Sequence, residues 1–151
     1  MQIDIQMLDP DLPAPKFAHV GDAGADLVSR VDMTLLPGER ALIPTGFKIA
    51  LPQGYAGFVH PRSGLALRHG ITVLNAPGTI DAGYRGEVGV ILLNTDSRYA
   101  FQVTRGDRIA QLVVQQIVVP DFEIVEVLDE TVRGEGGFGS TGSKTATPAL
   151  P

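Results

Sequence analysis

Cysteine is absent from the chain. That removes disulfide frameworks, thiolate metal sites and cysteine nucleophiles, and it suits a reducing compartment, so a cytoplasmic protein is expected. Long apolar runs are missing too. None approaches the roughly 20 residues of a membrane span, and Met1-Gln2-Ile3-Asp4 has neither the basic nor the apolar region of a signal peptide. A soluble, non-exported protein with no membrane contact is expected. Basic charge is in short supply, with 12 Lys and Arg against 17 Asp and Glu for a net −5. This is the wrong sign for tracking a nucleic-acid backbone, so no nucleic-acid partner is expected, although a pocket for a small anion needs only a few local cations and N–H groups. His19, His60 and His69 lack metal-ligand spacing, and no protein metal ligand is expected. Thr141-Gly142-Ser143-Lys144 carries the letters of a phosphate-binding loop in the wrong order.

What the chain does have is 151 residues, 44% of them apolar and only 19% charged, enough for one domain with a continuous core. Short β-like runs recur at 3–7, 33–36, 47–51, 55–59, 88–94, 99–103, 109–119 and 122–127. Pro37-Gly38, Pro52-Gln53-Gly54, Pro77-Gly78 and Arg105-Gly106 punctuate them as turns. The expected architecture is all-β, a single-domain, jelly-roll-like antiparallel β barrel over residues 1–130. One turn or two of helix is expected at 63–68. Residues 131–151, rich in Gly, Ser and Thr, are expected to form a flexible tail. The almost unrelieved apolar stretch 112–119 predicts a strand covered on both faces, which a small β domain can achieve by oligomer contacts.

Five polar, glycine-bearing blocks separate the strands. They are Gly24-Ala25-Asp26-Leu27, Pro61-Arg62-Ser63-Gly64-Leu65-Ala66, the stretch from Gly78 to Gly86, the stretch from Arg105 to Leu112, and Arg133-Gly134-Glu135-Gly136-Gly137-Phe138-Gly139-Ser140. Around Arg62, Ser63 and Gly64, a guanidinium, a hydroxyl and free N–H groups can converge on a phosphate. The same letters also suit an N-cap serine beside a surface arginine. Asn-Ala-Pro-Gly and Asp-Ala-Gly-Tyr form two turns around Thr79-Ile80, a loop whose backbone groups could read a pyrimidine edge. Asp81 could equally do no more than open a turn. Gln111 is equally consistent with a single polar side chain at a strand start.

In order and spacing, these blocks resemble the five motifs of the homotrimeric dUTPase family, from about Gly21 to Gly142. The resemblance implies hydrolysis of dUTP to dUMP and pyrophosphate, which lowers dUTP and supplies dUMP for thymidylate synthesis. It implies that Asp81 is the general base for water attack at the α-phosphate. Tyr84 would pack under the deoxyribose and exclude a 2′-hydroxyl. Asn75, Thr79 and Ile80 would bind the uracil edge, with backbone contact at Gly89, where many relatives carry a larger side chain. Arg62, Ser63, Gly64 and Gln111 would meet phosphates, with Asp26 supporting them. The tail would close as a lid, Arg133 reaching the terminal phosphate, Phe138 covering the uracil, and Gly139 and Ser140 lying close by. The implied cofactor is Mg²⁺ carried by the triphosphate, and the implied partners are dUTP and two further copies of the chain. Two alternatives stand beside this: a dCTP deaminase-like enzyme, disfavoured because Ile91 occupies the position where that family needs a catalytic glutamate, and a non-catalytic dUTP-binding regulatory module.

Overall fold

The computed structural model describes residues 1–136. Ten strands and one helix follow in the order β1 (Asp4–Met7), β2 (Ala25–Val28), β3 (Met33–Leu35), β4 (Arg40–Ala50), β5 (Tyr55–Pro61), α1 (Ser63–His69), β6 (Ile71–Val73), β7 (Gly78–Ile80), β8 (Glu87–Asn94), β9 (Phe101–Val103) and β10 (Arg108–Gln116). They form two four-stranded antiparallel sheets, ordered β1-β4-β8-β6 and β2-β10-β5-β7, with a β3-β9 ribbon. This is the expected all-β, jelly-roll-like arrangement.

Alternation along β8 shows why it is a strand with one face inward. Val88, Val90, Leu92 and Asn94 are buried, while Glu87, Gly89, Ile91 and Leu93 lie between them half-buried. The inward residues meet Phe47, Ile43, Val59, Ile109 and Leu112 in one core. Asn94 is the polar member. Its Nδ2 donates to the carbonyls of Leu35 (3.0 Å) and Tyr99 (2.9 Å), and its Oδ1 accepts the Asp96 N–H at 2.9 Å, which satisfies a side chain with no solvent exposure. Beside it, N–H groups of Tyr99 and Arg98 point at the Asp96 carboxylate and hold its pKa below the usual value.

β4 is longer than the expected 47–51, and the reason lies in its middle. Pro44 pairs with Gly89 and Lys48 with Glu87, so Thr45, Gly46 and Phe47 together face Val88 alone. The resulting bulge accommodates a proline inside a strand and interrupts the alternating pattern that would have announced it. Thr45 Oγ1 donates to the Val88 carbonyl at 2.5 Å across this irregularity.

Two expectations are corrected. The run 122–127 forms no strand, and Phe122, Ile124 and Val127 are exposed. The strand expected at 109–119 stops at Gln116, where β10 ends, and within one copy Val118 is 88% exposed. The chain divides into two compact units, Met1–Val119 and a second that opens at Pro120. Strand propensity at 117–127 lacks any ladder to join among the described residues, and without one it stays irregular. Among the described residues no helix is long and apolar enough to cross a membrane.

Candidate active site

The first group of candidate residues sits on the β7 hairpin. Thr79 points outward between buried Gly78 and Ile80, and β7 ends in a turn closed by the Tyr84 N–H on the Asp81 carbonyl at 3.0 Å. The backbone alone makes this turn. The Asp81 carboxylate is exposed and enters no hydrogen bond or ion pair among the described residues. It lines a cavity of about 150 Å³ with Thr79, Ile80, Tyr84, Val88 and Gly89. The Tyr84 hydroxyl donates to the Glu87 carbonyl at 2.9 Å. Asn75 is exposed beside Gly78 at the root of the hairpin, outside the residues that line this cavity. A Cβ on Gly89 would lie 2.7 Å from Leu42 Cδ1, so a side chain of the neighbouring strand already fills the space that a larger residue would need.

The second group surrounds Asp26, which is only 9% exposed. Ladder pairing sets it opposite Gln111 on β10, and Gln111 opposite His60 on β5, just ahead of Arg62. Arg62 Nε (3.3 Å) and Gln111 Nε2 (3.3 Å) approach Asp26 Oδ1, and Arg108 Nη1 approaches Oδ2 at 3.2 Å. Arg62 Nη1 also donates to the Arg108 carbonyl at 3.0 Å. Arg62 is therefore tied inward rather than loose on the surface. Two guanidiniums against one carboxylate leave a local positive charge on an acidic protein, as an anion site requires. Arg108 is the residue that sequence reasoning passed over; it lies within the fourth polar block, but nothing in that block separates it from Arg105. Ser63 and Gly64 open α1 directly after Arg62, which is itself the N-cap and has no side-chain capping bond, so Ser63 is the first helical residue and its hydroxyl is exposed.

These two groups do not meet within one copy. β7 runs antiparallel to β5, from Gly78 opposite Val59 to Ile80 opposite Gly57. Asp81 therefore leaves the sheet near Ala56, while Arg62 follows Pro61 at the other end. At about 3.3 Å per residue the separation along β5 is roughly 20 Å, more than the two side chains span. In the second unit, Arg133 stands on a turn where the Gly134 N–H donates to the Thr131 carbonyl (3.0 Å) and Arg133 Nε to the Gly136 carbonyl (2.9 Å). Phe138, Gly139 and Ser140 lie outside the described residues. No group of three or more His, Asp or Glu among the described residues is placed to hold a metal.

Fold and site together define a class: a jelly-roll-like β protein carrying an arginine cluster at one sheet end and a polar hairpin cavity at the other. Residues 11–142 match the family model described as dUTPase, and the chain belongs to that family. It is similar to the deoxyuridine 5'-triphosphate nucleotidohydrolase of Thermobifida fusca, with 61% identity over 97% of this chain and 82% of that protein. It is also similar to the enzyme of the same name from Corynebacterium glutamicum, with 58% identity over 95% of this chain and 96% of that one. Among solved structures, a variant of Staphylococcus bacteriophage 80alpha dUTPase with dUpNHpp superposes with a TM-score of 0.85 at 28% identity, covering 93% of this chain and 98% of that one. A variant of the dUTPase from phage phi11 of S. aureus, described with a structural Mg(II) ion, gives 0.79 at 27% identity over 86% and 100%.

Proposed function

We propose that the chain is a dUTP diphosphatase that hydrolyses dUTP to dUMP and pyrophosphate in the cytoplasm, lowering dUTP and supplying dUMP for thymidylate synthesis. The observation that carries this is Asp81, an exposed carboxylate without hydrogen-bond or ion-pair partners among the described residues, at a cavity shared with Thr79, Ile80 and Tyr84. A carboxylate committed to no ion pair is available to bind a water and take its proton. The water oxygen bonds to the α-phosphorus while its proton passes to Asp81. The bond from that phosphorus to the bridging oxygen of the β-phosphate breaks, and its electron pair leaves with pyrophosphate.

Thr79, Ile80, Asn75 and the Gly89 backbone bind the uracil, and the Tyr84 ring faces the sugar. Arg62, Ser63, Gly64 and Gln111 take the phosphates, with Asp26 fixing the arginine. Arg133, Phe138, Gly139 and Ser140 close over the nucleotide as a lid. Arg62 and Gln111 are donors to phosphate oxygens rather than metal ligands, a donor set that fits Mg²⁺ carried by the triphosphate and water, which when bound would neutralise charge on the leaving pyrophosphate. The working form is a homotrimer. The opposite placement of Asp81 and Arg62 on one sheet supports a site assembled from different copies, and exposed Val118, Val119, Phe122 and Ile124 offer apolar surface for a second chain to cover.

The test is Asp81→Asn. With no side-chain hydrogen bond or ion pair to lose among the described residues, the variant should melt as wild type does and still bind dUTP, while pyrophosphate release falls by about 10²–10⁴-fold. Turnover within a few-fold of wild type would falsify the general-base role.

A further inference from the structure

Tyr84 is held by more than its own turn. Its ring folds back over Gly86 so closely that a Cβ there would sit 2.6 Å from Cζ and 3.0 Å from Cε2, and would overlap the hydroxyl oxygen. The ring can occupy this place only because residue 86 has no side chain. The hydroxyl ends on the carbonyl of Glu87, and Glu87 is anchored in turn. Its Oε1 accepts the Gly46 N–H at 2.8 Å, a donor that the β4 bulge has taken off the ladder. Arg30 Nη1 lies 3.4 and 3.3 Å from the two carboxylate oxygens, and Arg30 Nε also faces Asp9 at 3.8 Å.

An ion pair as open as Arg30 with Glu87 adds little to stability. The bond from Gly46 to a charged acceptor is the stronger link, and it fixes the start of β8 against the bulge. We infer that Gly86 and Glu87 are positioning residues that set where the Tyr84 ring stands, and through it how strictly the site rejects a 2′-hydroxyl. The inference rests on the proposed role of Tyr84 against the sugar. The phenol is placed from two sides, by an empty volume at Gly86 and by an acceptor whose strand is pinned to the bulge. A shift of the ring by the width of one methyl group would open or close the space that separates a ribose from a deoxyribose.

The experiment uses the full-length protein and compares kcat/KM for dUTP and for UTP, by pyrophosphate release, in Tyr84→Ala, Gly86→Ala, Glu87→Ala and Glu87→Gln. The ratio of the two constants is internal to each preparation, so partial unfolding lowers both rates and leaves it unmoved. Tyr84→Ala should lower the ratio by about tenfold or more. Gly86→Ala, which expels the ring, should come within about threefold of that. Glu87→Ala should lower the ratio by about three- to tenfold. Glu87→Gln, which keeps an oxygen for the Gly46 N–H, should retain most of the selectivity. If Tyr84→Ala shifts the ratio while Gly86→Ala and Glu87→Ala both stay within about twofold of wild type, the positioning role is overturned and the role of Tyr84 survives. A shift with Gly86→Ala alone removes Glu87 from the assignment. An unchanged ratio in Tyr84→Ala overturns the sugar role of Tyr84 and the inference with it.

Discussion

Asp26→Asn isolates the contribution of the buried carboxylate, because it keeps the side-chain volume and removes the charge. In the native protein three donors converge on it: Arg62 Nε and Gln111 Nε2 on Oδ1, and Arg108 Nη1 on Oδ2. An amide presents one oxygen and one NH₂ group, so one donor must face another. The Arg108 side chain is 56% exposed, and water replaces its lost partner at a cost of less than about 1 kcal/mol. Arg62 is 26% exposed; weakening its charged hydrogen bond and that of Gln111 costs about 2 kcal/mol more. A total near 2–3 kcal/mol should lower Tm by roughly 4–12 °C in a chain of this size, as read by circular dichroism. KM for dUTP should rise as Arg62 loses its orientation. Combining the change with Arg62→Ala should add less than the sum of the two single effects, with a coupling of about 0.5–3 kcal/mol. Strict additivity, or an Asp26→Asn protein that melts within about 1 °C of wild type, would show that Asp26 does not hold Arg62 in place.

Asn94→Leu should cost about 2–4 kcal/mol, since it strands the carbonyls of Leu35 and Tyr99 in the core; denaturant melts measure this, and an unchanged midpoint would contradict it. Mixing inactive Asp81→Asn with inactive Arg62→Ala chains should restore measurable dUTP hydrolysis, because the two groups lie at opposite ends of one sheet and can meet only between copies. Failure to complement after refolding together, with light scattering showing a monomer, would remove the shared site. Truncation after Leu128 leaves every strand of the barrel in place. It should preserve the melt and lower hydrolysis by about 10²–10³-fold, the scale of losing charge-stabilising donors; near-native rates would mean that the tail is no lid.

The helix at Ser63–His69 and the strands β5, β8 and much of β10 were legible in the sequence because each has length or alternation enough to show itself. β2, β6 and β7 were not. Ala25–Val28 and Gly78–Ile80 fall in glycine-bearing polar blocks that read as loop, Ile71–Val73 follows directly on the helix, and all three pair because a neighbouring strand offers a ladder. Residues 122–127 erred in the opposite direction, with strand composition but no strand to pair with. At the candidate site, the blocks around Asp81 and Arg62 stood out by chemistry and spacing. Their assignment to opposite ends of one sheet depends on the pairing of β7 with β5, which no local pattern encodes. The tie from Asp26 to Arg62 crosses from β2 to the end of β5 by way of β10, and Arg108, the first residue of β10, joins it there.

The contact between Leu42 and Gly89 makes two positions on neighbouring strands depend on one another. A lysine or methionine at 89 is harmless only where residue 42 is small or turned aside; placed here alone, its Cβ would collide with Leu42 Cδ1 at 2.7 Å. Shrinking Leu42 alone uncovers the backbone beside the hairpin cavity. Substitutions at this pair are therefore coupled through the Leu42 rotamer: Leu42 is 64% exposed, so its terminal methyl can swing aside for a larger residue 89, giving up the contact it makes now. The effect of grafting residue 89 from a relative should then depend on which residue stands at 42.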